Sequence, residues 1–185
     1  MKVIERALDG VAVIEPTRIF DERGWFMESY NSKQFNALLR EDIIFVQDNH
    51  STSNCGTLRG LHYQLPPHEQ GKLVRVVSGR VFDVVVDLRP KSKTFRQSFS
   101  IELSASDPKM LWVPSGFAHG FLALDDNTNL LYKTTSHYCK SSERSIRWDC
   151  RDLNINWPKV PQMLISKKDS TAPTLASVPL KDLFL

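Results

Sequence analysis

The stretch Leu73-Val-Arg-Val-Val-Ser-Gly79-Arg-Val-Phe-Asp83-Val-Val-Val-Asp87-Leu88 marks this chain as a β protein. It holds two runs rich in β-branched residues, Leu73–Val77 and Val81–Leu88, of a kind that suits a pleated, packed surface better than a helix. Ser78-Gly79 between them predicts a tight β-hairpin, because glycine reaches positive φ at no steric cost. In the second run Phe82, Val84 and Val86 share one face, and Val81, Asp83, Val85 and Asp87 the other. A carboxylate on an otherwise apolar face is costly. Asp83 therefore either has a partner or looks into a polar pocket.

Further short strands fit Val11–Glu15, which alternates and stops at Pro16, and Trp25–Tyr30 after the turn-like Asp21-Glu-Arg-Gly24. Others fit Phe95–Leu103, Lys109–Val113, Gly120–Ala123, Asn129–Thr135 and Ser145–Trp148. The clearest helix is Ser32–Arg40, capped by Asn31, with Phe35, Leu38 and Leu39 as its apolar stripe. Strands at this density with one short helix predict an all-β sandwich or barrel. The 185 residues read as one domain, 1–185, with a Pro-, Lys- and Ser-rich tail after Trp157-Pro158 packed over the barrel.

Composition narrows the function classes. A hydrophobic fraction of 41% argues against disorder. The net charge of +3 is spread along the chain, which favours an anionic small ligand over nucleic acid. Cys55, Cys139 and Cys150 are odd in number and lack CxxC spacing, so the expectation is a reducing, cytoplasmic setting without a disulfide framework. The N-terminal MKVIERALDGVAVIEP carries acidic residues in its apolar stretch and does not read as a signal peptide. No window approaches the roughly 20 apolar residues of a membrane span.

Two segments carry chemistry. Gly56-Thr-Leu-Arg-Gly-Leu-His62-Tyr-Gln64, with Lys72 after it, sets an imidazole among strand residues, where its near-neutral pKa suits proton abstraction. A lysine there can stabilise an enolate oxygen. The plainer readings are a hydrogen-bonded rim histidine and a solvated lysine. Trp112-Val-Pro114-Ser-Gly116-Phe-Ala-His119-Gly fixes a tight turn ahead of a second histidine. Together the two segments resemble the signature stretches of the cupin superfamily, a jelly-roll β-barrel. Metal-binding cupins carry HxH and a Glu in the first stretch. Here Gln64 stands at the second histidine, and Glu69 lies near the carboxylate position. Glutamine is a poor substitute for imidazole, so the expectation is no metal and no other cofactor.

Longer stretches resemble the dTDP-4-dehydrorhamnose 3,5-epimerase family: Asp21-Glu-Arg23-Gly-Trp-Phe-Met-Glu28-Ser-Tyr, Phe45-Val-Gln47-Asp-Asn49-His-Ser, Leu58-Arg59-Gly-Leu-His62-Tyr-Gln, Gln70-Gly-Lys72-Leu-Val-Arg, the Trp112–Gly120 segment with Phe121, and Leu131-Tyr132-Lys-Thr. The resemblance runs from about Val3 to about Ala176. It implies a dTDP-sugar substrate whose carbons are inverted on either side of a ketone. It further implies His62 as base, Tyr132 as the acid on the opposite face of the ring, and Lys72 near the enolate oxygen. Asp169 would orient His62, with Asp83 as the competing carboxylate; Ser166-x-x-Asp169 also resembles a helix capping box. Substrate binding would fall to Arg23, Arg59 and Lys168 around the diphosphate, Gln47 and Asn49 as neutral donors and acceptors, Tyr138 as a stack on the base, and His119, Glu28 and Glu143. The family resemblance also implies a homodimer with exchanged N-terminal strands.

Overall fold

A computed structural model describes residues 1–184. Fourteen strands are described: β1 Lys2–Ala7, β2 Val11–Glu15, β3 Ile19–Asp21, β4 Gly24–Phe26, β5 Gln47–Ser53, β6 Thr57–Gln64, β7 Lys72–Ser78, β8 Arg80–Asp87, β9 Ser98–Ser104, β10 Met110–Val113, β11 Phe117–Ala123, β12 Thr128–Thr134, β13 Glu143–Ser145 and β14 Leu164–Ile165. Two α-helices accompany them, α1 Ser32–Leu39 and α2 Lys167–Ser170. One sheet has the order β1-β2-β10-β7-β12-β5. The other runs β13-β6-β11-β8-β9, with β14 added parallel to β6, and β3-β4 forms a separate hairpin. None of the described helices is long and apolar enough to cross a membrane.

The strands on either side of Ser78-Gly79 do not form the expected hairpin. β7 lies between β10 and β12 in one sheet, and β8 lies between β11 and β9 in the other. Gly79, at φ +72°, turns the chain from sheet to sheet, and a Cβ there would collide with Thr128. The local signal for a tight turn is the same in both cases. Which strands pair is decided by distant partners, Val74 with Leu111 and Leu130 with Val76.

Period-2 alternation builds three apolar layers from these sheets. Val11, Val13, Val74, Val76, Val81, Val85, Leu111, Phe121 and Leu130 fill the space between them. The outer face of the second sheet, with Val84 and Val86, is covered by Leu153, Leu175 and Leu183 of the tail. Helix α1 lays Phe35 and Leu39 against Ala12, Ile14 and Trp112 on the outer face of the first sheet. Val11 to Ile14 of β2 are therefore all buried, because the helix covers the side that would otherwise face water. Asn31 caps α1 as its sequence indicates, accepting from the Gln34 N–H. Other bounds shift: the strand read at Trp25–Tyr30 is Gly24–Phe26, and that at Ser145–Trp148 is Glu143–Ser145.

Candidate active site

Toward one end of the interior, the inward row on each strand changes from apolar to polar. On β6 the inward residues are His62 and Gln64, on β7 Lys72, on β11 His119, on β12 Tyr132. These five and Arg59, Tyr138, Glu143, Lys168 and Asp169 line one open cavity of about 640 Å³, within the usual range for small-ligand sites. His62 and His119 come from one sheet, Lys72 and Tyr132 from the other.

Two glycines press β6 and β11 together at the histidines. Gly60 sits at φ +141°, a Cβ on it would overlap the Gly120 backbone, and the strand register shifts there. The bulge leaves His119 directly opposite His62, so both imidazoles share one face. Each then finds its own carboxylate. His62 Nε2 donates to Asp169 Oδ1 at 2.6 Å. His119 Nε2 donates to both oxygens of Asp83, at 2.9 and 3.0 Å. Both carboxylates are buried, Asp83 completely. The two candidates for the partner of His62 thus divide between two histidines.

An Nε2–H committed to a carboxylate leaves Nδ1 with its lone pair, and Nδ1 of His62 has no partner among the described residues. This is the tautomer of a proton acceptor. Asp169 is fixed in turn: Ser166 Oγ accepts from its N–H as the cap of α2, while Gly60 N–H donates weakly to Oδ2 at 3.4 Å. Burial raises the Asp169 pKa, but the hydrogen bond and charge of His62, with Gly60 and Ser166, outweigh it and hold the carboxyl below its ordinary range. The capping serine and the histidine partner are therefore compatible, because the cap uses the backbone of Asp169 and the imidazole its side chain.

Lys72 is buried, with Nζ 3.4 Å from the His62 carbonyl. Burial pulls its pKa down to about 8, against the opposing pull of Asp83 and Glu143. It is therefore still largely cationic at neutral pH. Burial raises the Tyr132 pKa, so the phenol keeps its proton. No hydrogen bond occupies its hydroxyl among the described residues.

At the cavity mouth Lys168 Nζ meets Glu143 Oε2 at 2.7 Å, and the Tyr138 hydroxyl donates to the same oxygen at 3.2 Å. Burial raises the Glu143 pKa, but Lys168, Tyr138 and His62 together leave it below its ordinary value. Arg59 Nε donates to Ser53 Oγ and Nη2 to the Thr52 carbonyl, both at 3.2 Å, which anchors the guanidinium and leaves Nη1 free. Gln47 and Asn49 sit beside the cavity on β5, bonded to each other at 2.9 Å, and do not line it. Arg23 and Glu28 lie away from it: Arg23 pairs with Asp21, and Glu28 accepts from Asn31 and Gln34.

Some lining residues went unnoticed in the sequence, Ser51 among them. Ser51 lines the cavity with a buried, unpartnered hydroxyl. It continues the inward row Gln47, Asn49 of β5, so extending that alternation by one step would have found it.

A model of the family described as dTDP-4-dehydrorhamnose 3,5-epimerase matches residues 5–177. The chain is 50% identical over 169 residues to the dTDP-4-dehydrorhamnose 3,5-epimerase of Shigella flexneri, covering 91% of this chain and 93% of that one. Among solved structures it is similar to dTDP-6-deoxy-D-glucose-3,5-epimerase from Legionella pneumophila in complex with dTDP-4-keto-L-rhamnose, with TM-score 0.95, 43% identity and coverage of 98% and 96%. A 3'-monoepimerase from Streptomyces bikiniensis in complex with dTDP-quinovose is further away, at TM-score 0.88, 33% identity and coverage of 96% and 88%. A jelly roll with paired histidines and carboxylates at one end, matched along nearly its whole length, belongs to the dTDP-4-dehydrorhamnose 3,5-epimerase family.

Proposed function

We propose that this chain converts dTDP-4-dehydro-6-deoxy-D-glucose to dTDP-4-dehydro-L-rhamnose by inverting carbons 3 and 5 of the sugar. The observation that carries this reading is His62 and Tyr132 lining one cavity from opposite sheets. A C–H beside a ketone is weakly acidic, so its removal needs a base and a cation at the ketone oxygen. His62 takes the proton on Nδ1, and Asp169 stabilises the imidazolium that results. The electron pair moves onto the C4 oxygen, where the Lys72 ammonium faces the growing charge in a largely buried setting. Tyr132 returns a proton from the far side of the ring and inverts the carbon. His62 then releases its proton to solvent and Tyr132 takes one back, and the same steps repeat at the second carbon beside the ketone.

The nucleotide half falls to the cavity mouth. Arg59 and Lys168 suit the diphosphate, and the exposed ring of Tyr138 suits the base. A homodimer gives Arg23 and Glu28 a role their own cavity does not. The β3–β4 hairpin holding Arg23 belongs to neither large sheet and exposes Ile19, Phe20, Trp25 and Phe26 by 50 to 70%. An isolated two-stranded ribbon with four exposed apolar side chains calls for a partner surface. Three unpaired thiols agree with a cytoplasmic setting.

The deciding experiment follows the 4-keto sugar nucleotide in deuterium oxide by NMR. Label entering at carbons 3 and 5, with both centres inverted in the product, is the expected result. Label at one carbon alone would make this a one-centre epimerase, and no label would remove the proton-transfer reading.

A further inference from the structure

The segment that carries Tyr138 has no regular structure and bridges β12 and β13. Exposed loops of this kind give many of their backbone groups to water. Here four consecutive residues give theirs to glutamine side chains. The Ser136 carbonyl accepts from Gln70 Nε2 at 2.8 Å, and the His137 carbonyl from Gln64 Nε2 at 3.2 Å. The Tyr138 N–H donates to Gln47 Oε1 at 3.0 Å, and the Cys139 N–H to Gln64 Oε1 at 2.8 Å. The three amides arrive from the start of β5, the end of β6 and the turn before β7. Gln64 is buried and sends its other amide hydrogen to the His68 carbonyl at 2.6 Å, tying a second loop into the cluster.

We infer that Gln47, Gln64 and Gln70 form a positioning cradle that presets the Tyr138 ring for a nucleobase, controlling how tightly the nucleotide is held rather than how fast protons move. The inference rests on the reading of Tyr138 as the ring that receives the base. Tyr138 is 55% exposed, so packing does not hold it. Its hydroxyl is tethered by Glu143 and its backbone by the glutamines, which fixes both ends and leaves the face open. Order in the free protein lowers the entropy lost on binding. Only an amide meets the demand at position 64. A neutral imidazole offers one donor and one acceptor, and a carboxylate donates nothing, whereas Gln64 donates twice and accepts once. The residue standing where metal-binding cupins carry a second histidine is thus committed to loop geometry.

The test titrates dTDP calorimetrically into the intact parent, Gln64→Leu, Gln70→Leu, Tyr138→Ala and the Gln64→Leu/Tyr138→Ala double variant. Deuterium entry at saturating sugar nucleotide is measured on the same proteins. Loss of the stacking ring should weaken dTDP by about tenfold, and each glutamine variant by a smaller factor. The double variant should bind no more weakly than Tyr138→Ala, since the glutamine acts through the ring. Exchange in the glutamine variants at saturation should stay within about twofold of the parent while KM rises. Should Gln64→Leu fail to fold, Gln70→Leu, at a half-buried site, carries the same expectation. Folded glutamine variants that bind dTDP like the parent, or a fully additive double variant, would overturn the cradle alone. Parental binding by Tyr138→Ala would overturn the stacking reading and the cradle with it.

Discussion

Replacing Lys72 with methionine should make the protein more stable and nearly inactive. The ammonium is buried, and burial lowers its pKa from 10.5 to about 8 even with Asp83 and Glu143 opposing. At about 1.4 kcal/mol per pH unit, holding that charge in the folded state costs about 3 kcal/mol at neutral pH. Methionine keeps the unbranched chain and removes the charge. It also gives up the long contact to the His62 carbonyl and leaves Asp83 with His119 alone. A net gain of about 1–2 kcal/mol is therefore expected, or roughly 2–8 °C in Tm for a chain of this size. The pH dependence adds a sharper check. Between pH 8 and 10.5 the folded state has lost the proton and the unfolded state still holds it. Parental stability then rises with pH by about 3 kcal/mol in all, so the gap to the variant closes near pH 9 and is reversed by pH 10. Losing the cation at the ketone oxygen should lower solvent exchange by about 10²–10³. Melts of both proteins at pH 7 and pH 10, with exchange followed at pH 7, decide the matter. A variant that melts below its parent at pH 7, or a gap that is constant with pH, would refute the reasoning.

Tyr132→Phe should retain deuterium entry better than inversion, because His62 is untouched while the opposite face loses its acid; equal loss of both by NMR counts against the assignment. Asp169→Asn should lower kcat by about 10²–10⁴ by disturbing the His62 tautomer, with calorimetric dTDP affinity held within severalfold; an unchanged kcat would detach Asp169 from the base. Asp87 is completely buried, and its carboxylate accepts from Arg89 Nε, Arg89 Nη2, Ser92 Oγ and Thr94 Oγ1. Asp87→Ala should cost about 3–5 kcal/mol in denaturant melts, by leaving those donors and a charge without a partner. Burial raises the Asp87 pKa, but those bonds outweigh it and hold it below the usual 3.8. Its stabilisation is therefore full above about pH 4 and fades in more acid solution, where parent and variant should converge.

The parts of this molecule legible in the sequence are those whose cause is local. Alternation along Val81–Leu88 assigned both faces correctly, since Val84 and Val86 meet the tail and Val81 and Val85 the interior. The Asn31 cap and the Phe35–Leu39 stripe gave α1 to within a residue. What failed was pairing. Ser78-Gly79 specifies a reversal of the chain, and the sheet each arm joins is decided by residues tens of positions away. The burial of β2 on both faces was hidden for the same reason, because the covering helix follows it only after a hairpin and a turn. The site divides along the same line. Period 2 sets His62 and Gln64 on one face, but the choice between Asp83 and Asp169 for His62 depends on where the tail returns. β14 settles beside β6 and starts α2 at Ser166, which aims Asp169 at the imidazole. Position 83 meets His119 through the β8–β11 register instead.

The donor set leads to a last prediction, that exhaustive chelation leaves the activity intact. A lasting transition-metal site needs about three protein ligands of suitable softness. His62 and His119 each commit Nε2 to a carboxylate and have only Nδ1 to offer. Gln64, the third position of a metal-binding cupin, has its oxygen occupied by the Cys139 N–H and both amide hydrogens on carbonyls. Glu69, at the spacing of the carboxylate ligand, does not line the cavity. The Lys72 ammonium lies beside the His62 backbone and would repel a divalent ion. Two imidazole nitrogens beside a fixed cation make a weak metal site and a good pocket for an enolate. Dialysis against a strong chelator, followed by the deuterium assay with and without added iron, manganese, nickel or zinc, measures the consequence. The rate should survive chelation and gain nothing from any of the four ions. A rate lost on dialysis and restored by one of them would mean that the enolate charge is met by a metal rather than by the lysine.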